Sequence, residues 1–183
     1  MRNSIKQITS ACDACREHLD SKPKEEPALL THSRHPMHKV GVDLFSANGE
    51  DWVVMVDHFS SFPFARRLRS TVTEAITRTL DDWFLDWGYP EVIRTDGGPQ
   101  FRREFSEWAA ERHVKHEVSS PYNPQSNALA EAAVKRCKKL LLKCCELDQD
   151  FRVALLEHRN TPQARSRHTS PAMAFLFLSL IHI

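Results

Sequence analysis

The chain has 183 residues, of which 41% are hydrophobic, and this is enough to bury the core of one compact domain with a small additional piece. Its net charge of +1 excludes a global field that would attract nucleic acid, so any such affinity requires a local basic patch. Five cysteines, an odd number, give no support to a disulfide framework, and with no recognisable secretion signal they favour a reducing compartment and no membrane partner.

Residues 1–20 are predicted to be the C-terminal part of a helical zinc-binding module. They contain Cys12 and Cys15 in the sequence A-C-D-A-C. A single C-x-x-C pair is half of a tetrahedral zinc site, and the histidines downstream do not have a spacing that completes it. We therefore expect the other ligands to precede Met1. Residues 21–37, with three prolines before position 37 and mixed charge, are predicted to be a linker.

A second domain, residues 38–177, is predicted to open with three consecutive strands. In V-G-V-D-L-F, apolar residues alternate around Asp43 with the period of two that is typical of a strand. Residues 51–57 and 62–68 are the next two predicted strands. Asp57 is predicted to lie on the second strand, away from a strand end, and to be structural or substrate-facing.

A helix is predicted after these strands. Thr71 and Glu74 have the spacing of a capping box at its start, and Gly88 and Pro90 are expected to stop it. Its apolar stripe consists of Ile76, Leu80, Trp83, Phe84 and Trp87.

The remaining elements are predicted to alternate between strands and helices. In chain order they are a strand at 91–95, a helix at 103–112, a strand at 114–118, a loop at 119–127, and helices at 128–147 and 151–160. Three strands followed by this alternation imply an α/β fold with a mixed sheet covered by helices. We expect lone histidines (His58, His113 and His116) to be structural, and Trp52, Trp83, Trp87 and Trp108 to belong to the core.

Three acidic residues stand out by their contexts. Asp43 lies inside an apolar strand, where an acid is rarely just solvated. Asp96 follows a short apolar run and precedes Gly97 and Gly98, at the end of a strand, where open sheets hold ligands. Glu131 is the weakest of the three alone, because Glu on a helix is ordinary. The alternative for Asp96 is a turn-forming Asp beside Gly.

Three convergent carboxylates favour a site for phosphodiester chemistry. Attack on a DNA phosphate is opposed by the negative charge of the phosphate, and two divalent ions can activate the attacking oxygen and stabilise the leaving one. Magnesium takes oxygen ligands and only a few protein carboxylates, so Asp43, Asp96 and Glu131 suit Mg²⁺ or Mn²⁺.

A basic cluster follows Glu131 directly. Lys135 and Lys138 are four and seven residues beyond it, on the same face of the predicted helix. The stretch from Lys135 to Lys143 contains no acid, whereas a solvated helix face ordinarily alternates in charge. We therefore predict phosphate contacts beside the metal site.

Several motifs, taken in their order, resemble the integrases of gypsy-type long-terminal-repeat retrotransposons, which belong to the retroviral integrase superfamily. They are V-G-V-D-L-F, V-V-M-V-D, F-P-F, R-T-D-G-G-P-Q-F, S-S-P-Y-N-P-Q-S-N, A-E and H-R-N-T-P. The resemblance as a whole covers about residues 1–176. The resemblance implies an RNase-H-like integrase catalytic core with a five-stranded mixed sheet flanked by helices. In that family the catalytic, metal-binding acids match Asp43, Asp96 and Glu131.

The resemblance also implies a reaction and its partners. Water first trims the ends of the retroelement DNA, and the freed 3′-hydroxyl then attacks target DNA, without a covalent enzyme intermediate. A homo-oligomer is implied, as are nuclear action after a cytoplasmic particle and a zinc ion in the complete parent protein, where Cys12 and Cys15 match the last two ligands of a His-His-Cys-Cys module. The residues implied or predicted to contact DNA are Tyr122, Asn123, Gln125, Lys135, Lys138 and Lys139.

Two departures from the family pattern qualify this interpretation, and the end of the chain is a separate matter. Residues 97–130 separate Asp96 from Glu131, 34 positions and one fewer than the commonest retroviral spacing. Ala128 stands where the family usually has Gly, which is expected to stiffen the entry to the helix. Residues 178–183, L-S-L-I-H-I, are what one frame of a transposon end used in sequencing-library adapters would encode, so we predict a non-native tail.

Two other functions stay open on the sequence. One is a different RNase-H-fold nuclease or transposase, which the P-Y-N-P-Q-S-N and R-N-T-P segments disfavour. The other is an inactive or domesticated DNA-binding remnant, which the intact acids Asp43, Asp96 and Glu131 disfavour.

Overall fold

A computed structural model describes residues 33–119, 128–162 and 169–177, with the side chains of 128–130 left out. Its centre is one five-stranded sheet in the order β3-β2-β1-β4-β5. β1 is antiparallel to β2, β2 is antiparallel to β3, and β4 runs parallel to both β1 and β5. The predicted mixed sheet is therefore confirmed. Its strands are β1 (Lys39–Ala47), β2 (Glu50–Asp57), β3 (Pro63–Leu68), β4 (Val92–Thr95) and β5 (Lys115–Val118).

Helices cover the sheet, and the four predicted within the described residues are confirmed to within about two residues at each end. A fifth, short helix and a 3₁₀ turn at Pro99–Phe101 complete the described elements. None of the helices in these residues is long and apolar enough to cross a membrane. The helices are α1 (Thr73–Trp87), α2 (Arg103–Glu111), α3 (Ala128–Glu146), α4 (Phe151–Asn160) and α5 (Pro171–Leu176).

Alternation along β1 assigns its side chains to two hydrophobic clusters on opposite faces of the sheet. Val40 and Val42 are fully buried in a cluster that includes residues of α1, α2 and α5. Phe45 and Ala47 lie in a second cluster with residues of α3 and α4. Because successive side chains of a strand point to opposite faces, Asp43 shares the α3 face with Phe45.

The start of α1 differs from the prediction. Val72, not Thr71, is the N-cap residue, and no side chain caps the helix. The carboxylate of Glu74 instead forms an ion pair with Arg78 one turn later, at 3.4 Å. The capping-box prediction is therefore wrong, because the helix begins one residue later than that motif requires. Its stop is confirmed, since α1 ends at Trp87 and Gly88 adopts a positive φ of 86°.

Asp57 is the last residue of β2, so its predicted place away from a strand end is wrong. Its structural role is confirmed, because the fully buried carboxylate accepts hydrogen bonds from the backbone amides of Met37 and Ser60 and from the Ser60 hydroxyl. Three of the four tryptophans are buried as expected, whereas Trp87 is 41% exposed at the end of α1.

Candidate metal and nucleic-acid site

Asp43 is a partly buried carboxylate in the middle of β1. Its Oδ1 accepts a hydrogen bond from the backbone amide of Leu44 at 2.8 Å. The pKa of Asp43 is raised to about 6: burial raises it most, the Leu44 amide lowers it, and the negative charges of Asp96 and Glu131 raise it by smaller amounts. The three acids that the sequence singled out are therefore close enough to interact electrostatically.

Sheet register explains why Asp43 and Asp96 are neighbours. Gly41 of β1 is aligned with Arg94 of the parallel strand β4. Two residues further along each chain, on the same face of the sheet, come Asp43 and Asp96. Asp96 lies directly after the end of β4, and its Oδ1 accepts a hydrogen bond from the backbone amide of Gly98 at 3.0 Å.

Glu131 approaches the same region from the helix layer that covers this face of the sheet. It lies in the first turn of α3 and is exposed. The next turns of α3 place Ala133, Cys137 and Leu141 in the hydrophobic cluster of this sheet face, which fixes the helix over β1 and β2. The position of Glu131 therefore depends on the docking of the whole helix α3 against the sheet.

The donor set fits a hard divalent cation. Carboxylate oxygens are the ligands that Mg²⁺ and Mn²⁺ take, and all three acids supply them. Among the described residues, however, no three Asp, Glu, His or Cys side chains converge closely enough to form a preassembled metal-binding group. Like charges repel, so carboxylates without a cation between them are expected to stay apart.

A partly buried ion-pair cluster, the Glu117 cluster, lies on the same sheet face beside the acids. Glu117 Oε2 accepts hydrogen bonds from Lys39 Nζ at 2.7 Å and Arg94 Nη2 at 2.8 Å, and its Oε1 accepts one from Lys115 Nζ at 3.0 Å. Burial alone would raise the pKa of Glu117, but these three cations lower it to about 2. The cluster therefore carries three positive charges and one negative charge, next to the three acids.

His58 borders the Glu117 cluster and is held neutral by it. The pKa of His58 is lowered to about 4, mainly by burial and also by the charges of Lys39 and Arg94, against the opposing effect of Glu117. Its Nε2 is buried and has no hydrogen-bond partner. The prediction that His58 is structural agrees with this setting, in which a proton would be repelled.

The predicted DNA contacts are only partly within the described residues. Lys135 and Lys138 are exposed on α3, and Lys139 is partly exposed. Tyr122, Asn123 and Gln125 lie outside the described residues, as do Cys12 and Cys15, the linker up to residue 32 and the tail at 178–183.

Sequence reasoning did not predict the contacts of two residues that join elements around the site. His116 contacts two hydroxyl groups, and Arg159 donates a hydrogen bond to the carbonyl oxygen of Pro63 at 2.9 Å. A signal for His116 was present, because Lys115 and Glu117 alternate with it and so place it on the opposite sheet face. Arg159 belonged to the motif H-R-N-T-P, but nothing in that motif indicated burial against a strand.

Comparisons with known proteins agree with this geometry. Residues 34–124 match the family model "Integrase core domain". The Pro-Pol polyprotein of feline foamy virus is 30% identical over 151 residues, which are 78% of this chain and 13% of that polyprotein. The chain spans less than a fifth of the length of this and other curated relatives.

Solved structures show the same fold. A cryo-EM structure of the simian T-cell lymphotropic virus intasome in complex with PP2A regulatory subunit B56 gamma superposes with a TM-score of 0.71 at 22% identity, covering 95% of this chain and 66% of that one. The catalytic core domain of BIV integrase superposes with a TM-score of 0.63 at 19% identity, covering 77% and 95%. Residues 34–124 are therefore similar to the integrase core domain, and the chain has the integrase catalytic core fold.

Proposed function

We propose that the chain is the catalytic part of a metal-dependent polynucleotidyl transferase that trims retroelement DNA ends and joins their 3′-hydroxyls to target DNA. The observation that supports this most directly is the electrostatic interaction of Asp43 with Asp96 and Glu131 on one face of the sheet. The gypsy-type origin rests on the sequence motifs alone and stays a prediction.

Asp43, Asp96 and Glu131 would hold the cation, and Mg²⁺ or Mn²⁺ would supply charge stabilisation to the attacking and leaving oxygens of the phosphodiester. Asp43 is oriented by the Leu44 amide, and Asp96 by the Gly98 amide. At pH values above about 6 Asp43 is ionised and can bind a cation without first losing a proton.

The neighbouring cations are suited to a polyanionic substrate. Lys135 and Lys138 project from the exposed side of α3, on the helix that carries Glu131. Phosphate contacts of this kind position a nucleic acid without reading its sequence. We extend the proposal to Lys139 and to Tyr122, Asn123 and Gln125 as further DNA contacts.

The proposal covers the complete parent protein as well. In it, Cys12 and Cys15 would bind Zn²⁺ together with two further ligands, and the parent would assemble as a homo-oligomer on retroelement DNA ends and target DNA. Its action would be nuclear, after a cytoplasmic particle.

Glu131→Gln tests the proposed function. It removes a carboxylate from the acid cluster and no basic residue, so we expect it to abolish joining of a 3′-hydroxyl oligonucleotide to target DNA in Mg²⁺ or Mn²⁺. DNA affinity, measured by fluorescence anisotropy, should change less than about threefold, because phosphate contacts are left intact. Glu146→Gln, which removes an exposed carboxylate from the far end of the same helix, is the control.

The outcomes separate the three functions. Joining by the parent protein that is lost in Glu131→Gln supports integration. Cleavage without joining would favour another nuclease or transposase, and binding without either reaction would favour a DNA-binding remnant. Joining by Glu131→Gln would refute the assigned acids.

A further inference from the structure

The imidazole of His116 joins three elements beneath Asp96. From its place on β5, Nε2 lies 2.8 Å from Thr95 Oγ1 on β4, and Nδ1 lies 2.8 Å from Ser106 Oγ on α2. The ring also packs against Phe105, with 4.9 Å between the ring centroids. His116 therefore occupies the space between two strands and the helix that covers them, and both of its nitrogens have partners.

Thr95 determines which nitrogen of His116 carries the proton. The hydroxyl of Thr95 donates to the carbonyl oxygen of Asp96 at 2.9 Å, because a carbonyl can only accept. A hydroxyl has a single proton, so Thr95 Oγ1 must accept its second hydrogen bond. The donor is therefore the Nε2–H of His116. Thr95 is fully buried, so solvent does not compete for this bond.

The charge of the ring determines whether the other nitrogen, Nδ1, carries a proton. Burial lowers the pKa of His116, so the ring is neutral near pH 7 and Nδ1 is an acceptor. Ser106 Oγ must then donate to it. Ser106 Oγ also lies 3.2 Å from the carbonyl of Arg102. With a neutral ring only one of the two hydroxyls can donate to its carbonyl, and the 2.9 Å contact of Thr95 with Asp96 is the shorter of the two. The hydroxyl of Ser106, the ring and the hydroxyl of Thr95 thus form one directed chain that ends on Asp96.

We propose that His116 is a positioning residue: through its hydrogen bond to Thr95, it fixes the orientation of Asp96. Asp96 is held at two points: its carbonyl accepts from Thr95, and its carboxylate accepts from the Gly98 amide. These hydrogen bonds from Ser106 through His116 to Thr95, here called the relay, hold the backbone at the end of β4. The backbone there sets the direction in which the Asp96 carboxylate points toward Asp43. Partners that orient a metal ligand typically change metal affinity by about 10–100-fold when they are removed. This inference rests on the proposed function in one respect, because the proposed function is what gives Asp96 a cation to bind.

Nuclear magnetic resonance of the metal-free protein tests the relay itself. Long-range ¹H–¹⁵N spectra should show His116 as the neutral Nε2–H tautomer. Thr95→Val keeps the shape of the side chain and removes the hydroxyl, so it should shift the Gly98 amide resonance. Thr79→Val is the matched control, because Thr79 is also buried and its hydroxyl bonds only to the Ala75 carbonyl of its own helix. An Nδ1–H tautomer, or a Gly98 resonance unchanged in Thr95→Val, would overturn the relay.

The affinity for Mn²⁺ tests the effect of the relay on Asp96. By isothermal titration, Thr95→Val should bind Mn²⁺ about 10-fold more weakly than the unchanged protein, whereas Thr95→Ser, which restores the hydroxyl, and Thr79→Val should stay within about threefold. Ser106→Ala provides a second, milder break in the chain if Thr95→Val does not fold.

The two hypotheses fail differently. An unchanged protein that binds no Mn²⁺ would contradict the proposed function, and the relay would then be judged by the tautomer and the Gly98 resonance. Mn²⁺ binding by the unchanged protein with equal affinity in Thr95→Val and Ser106→Ala would contradict the positioning role of His116 alone.

Discussion

The ionised carboxylate of Asp43, which is suited to bind a cation, lowers the stability of the folded chain. Its pKa of about 6 is raised mainly by burial, so the ionised form disfavours the folded state. After allowance for solvent screening, this cost is about 1–2 kcal/mol near neutral pH. Because a raised carboxylate pKa favours protonation in the folded state, the lost stability returns as the pH falls from about 6 towards 4. A bound cation would remove the same cost without protonation.

Gly98 is a second residue with a direct effect on the acids. A Cβ at this position would lie 3.0 Å from Asp96 Oδ1 and closer still to the side chain of Gln100. We expect Gly98→Ala to displace the Asp96 carboxylate and to weaken Mn²⁺ binding by about 10-fold, as measured by isothermal titration.

Its neighbour Gly97 is the matched control for this prediction. A Cβ there would meet only Val118 Cγ1, at 3.8 Å, which is an ordinary contact. Gly97→Ala should therefore bind Mn²⁺ like the unchanged protein. Equal Mn²⁺ affinities in Gly97→Ala and Gly98→Ala would show that Asp96 does not depend on this close approach.

At the scale of elements, a partly buried guanidinium attaches α4 to the sheet. Arg159 donates to the Pro63 carbonyl at the start of β3, and its guanidinium carbon lies 4.5 Å from the ring centroid of Phe62. Burial lowers the pKa of Arg159 to about 10, so it stays charged at neutral pH. Phe175 of α5 also stacks on Phe62, with 4.7 Å between the ring centroids. The motif H-R-N-T-P therefore joins α4 to β3 through Arg159.

Arg159→Met tests this fastening. It leaves the Pro63 carbonyl without its partner and removes the contact with Phe62, so we expect a loss of about 2–4 kcal/mol in the free energy of unfolding, measured with urea. Arg152→Met, on the same helix, removes an arginine that is 88% exposed and pairs with Asp150 at the surface. This control should leave the free energy of unfolding almost unchanged, because exposed ion pairs contribute little to stability. Similar losses in both variants would contradict a structural role specific to Arg159.

At the scale of the whole molecule, three partly buried histidines make the fold sensitive to acid. Burial lowers the pKa of His58, His116 and His158, and neighbouring cations lower those of His58 and His158 further. Each is neutral in the folded state and takes up a proton on unfolding when the pH is below about 6.5. The unfolding free energy contributed by these groups is therefore complete above pH 6.5 and falls as the pH is lowered.

His58→Gln isolates one of these contributions. With a pKa of about 4 in the folded state and about 6.5 in the unfolded state, His58 should cost the unchanged protein about 2–3 kcal/mol between pH 7 and pH 4.5. Between pH 7 and pH 4.5, the free energy of unfolding of the variant should therefore fall by about 2–3 kcal/mol less than that of the unchanged protein. Urea unfolding at both pH values measures this difference. Asp43 acts in the opposite direction, but it is present in both proteins and cancels in the difference. Parallel pH dependences would contradict the neutral, buried state of His58.

The accuracy of the sequence predictions varied with the range of the interactions involved. Alternation around Asp43 and the helical stripe ending at Trp87 located their elements correctly, because burial on one face imposes a period on the sequence. The capping box at Thr71 failed, because a cap depends on where the first turn starts, and one residue decides it. The ion pairs of Glu117 were not predictable, since β1, β4 and β5 meet only through strand order.

The sequence by itself determined the α/β order of elements, the apolar strand around Asp43, the strand end before Asp96 and the helix that carries Glu131. These are local properties, which follow from hydrophobic period and turn-forming residues. Only the tertiary structure decided that β4 pairs in parallel with β1 so that Asp96 stands beside Asp43, that Glu117 gathers three cations, and that His116 reaches Asp96 through Thr95. Such contacts join residues far apart in the chain, and a single sequence carries no distance between them.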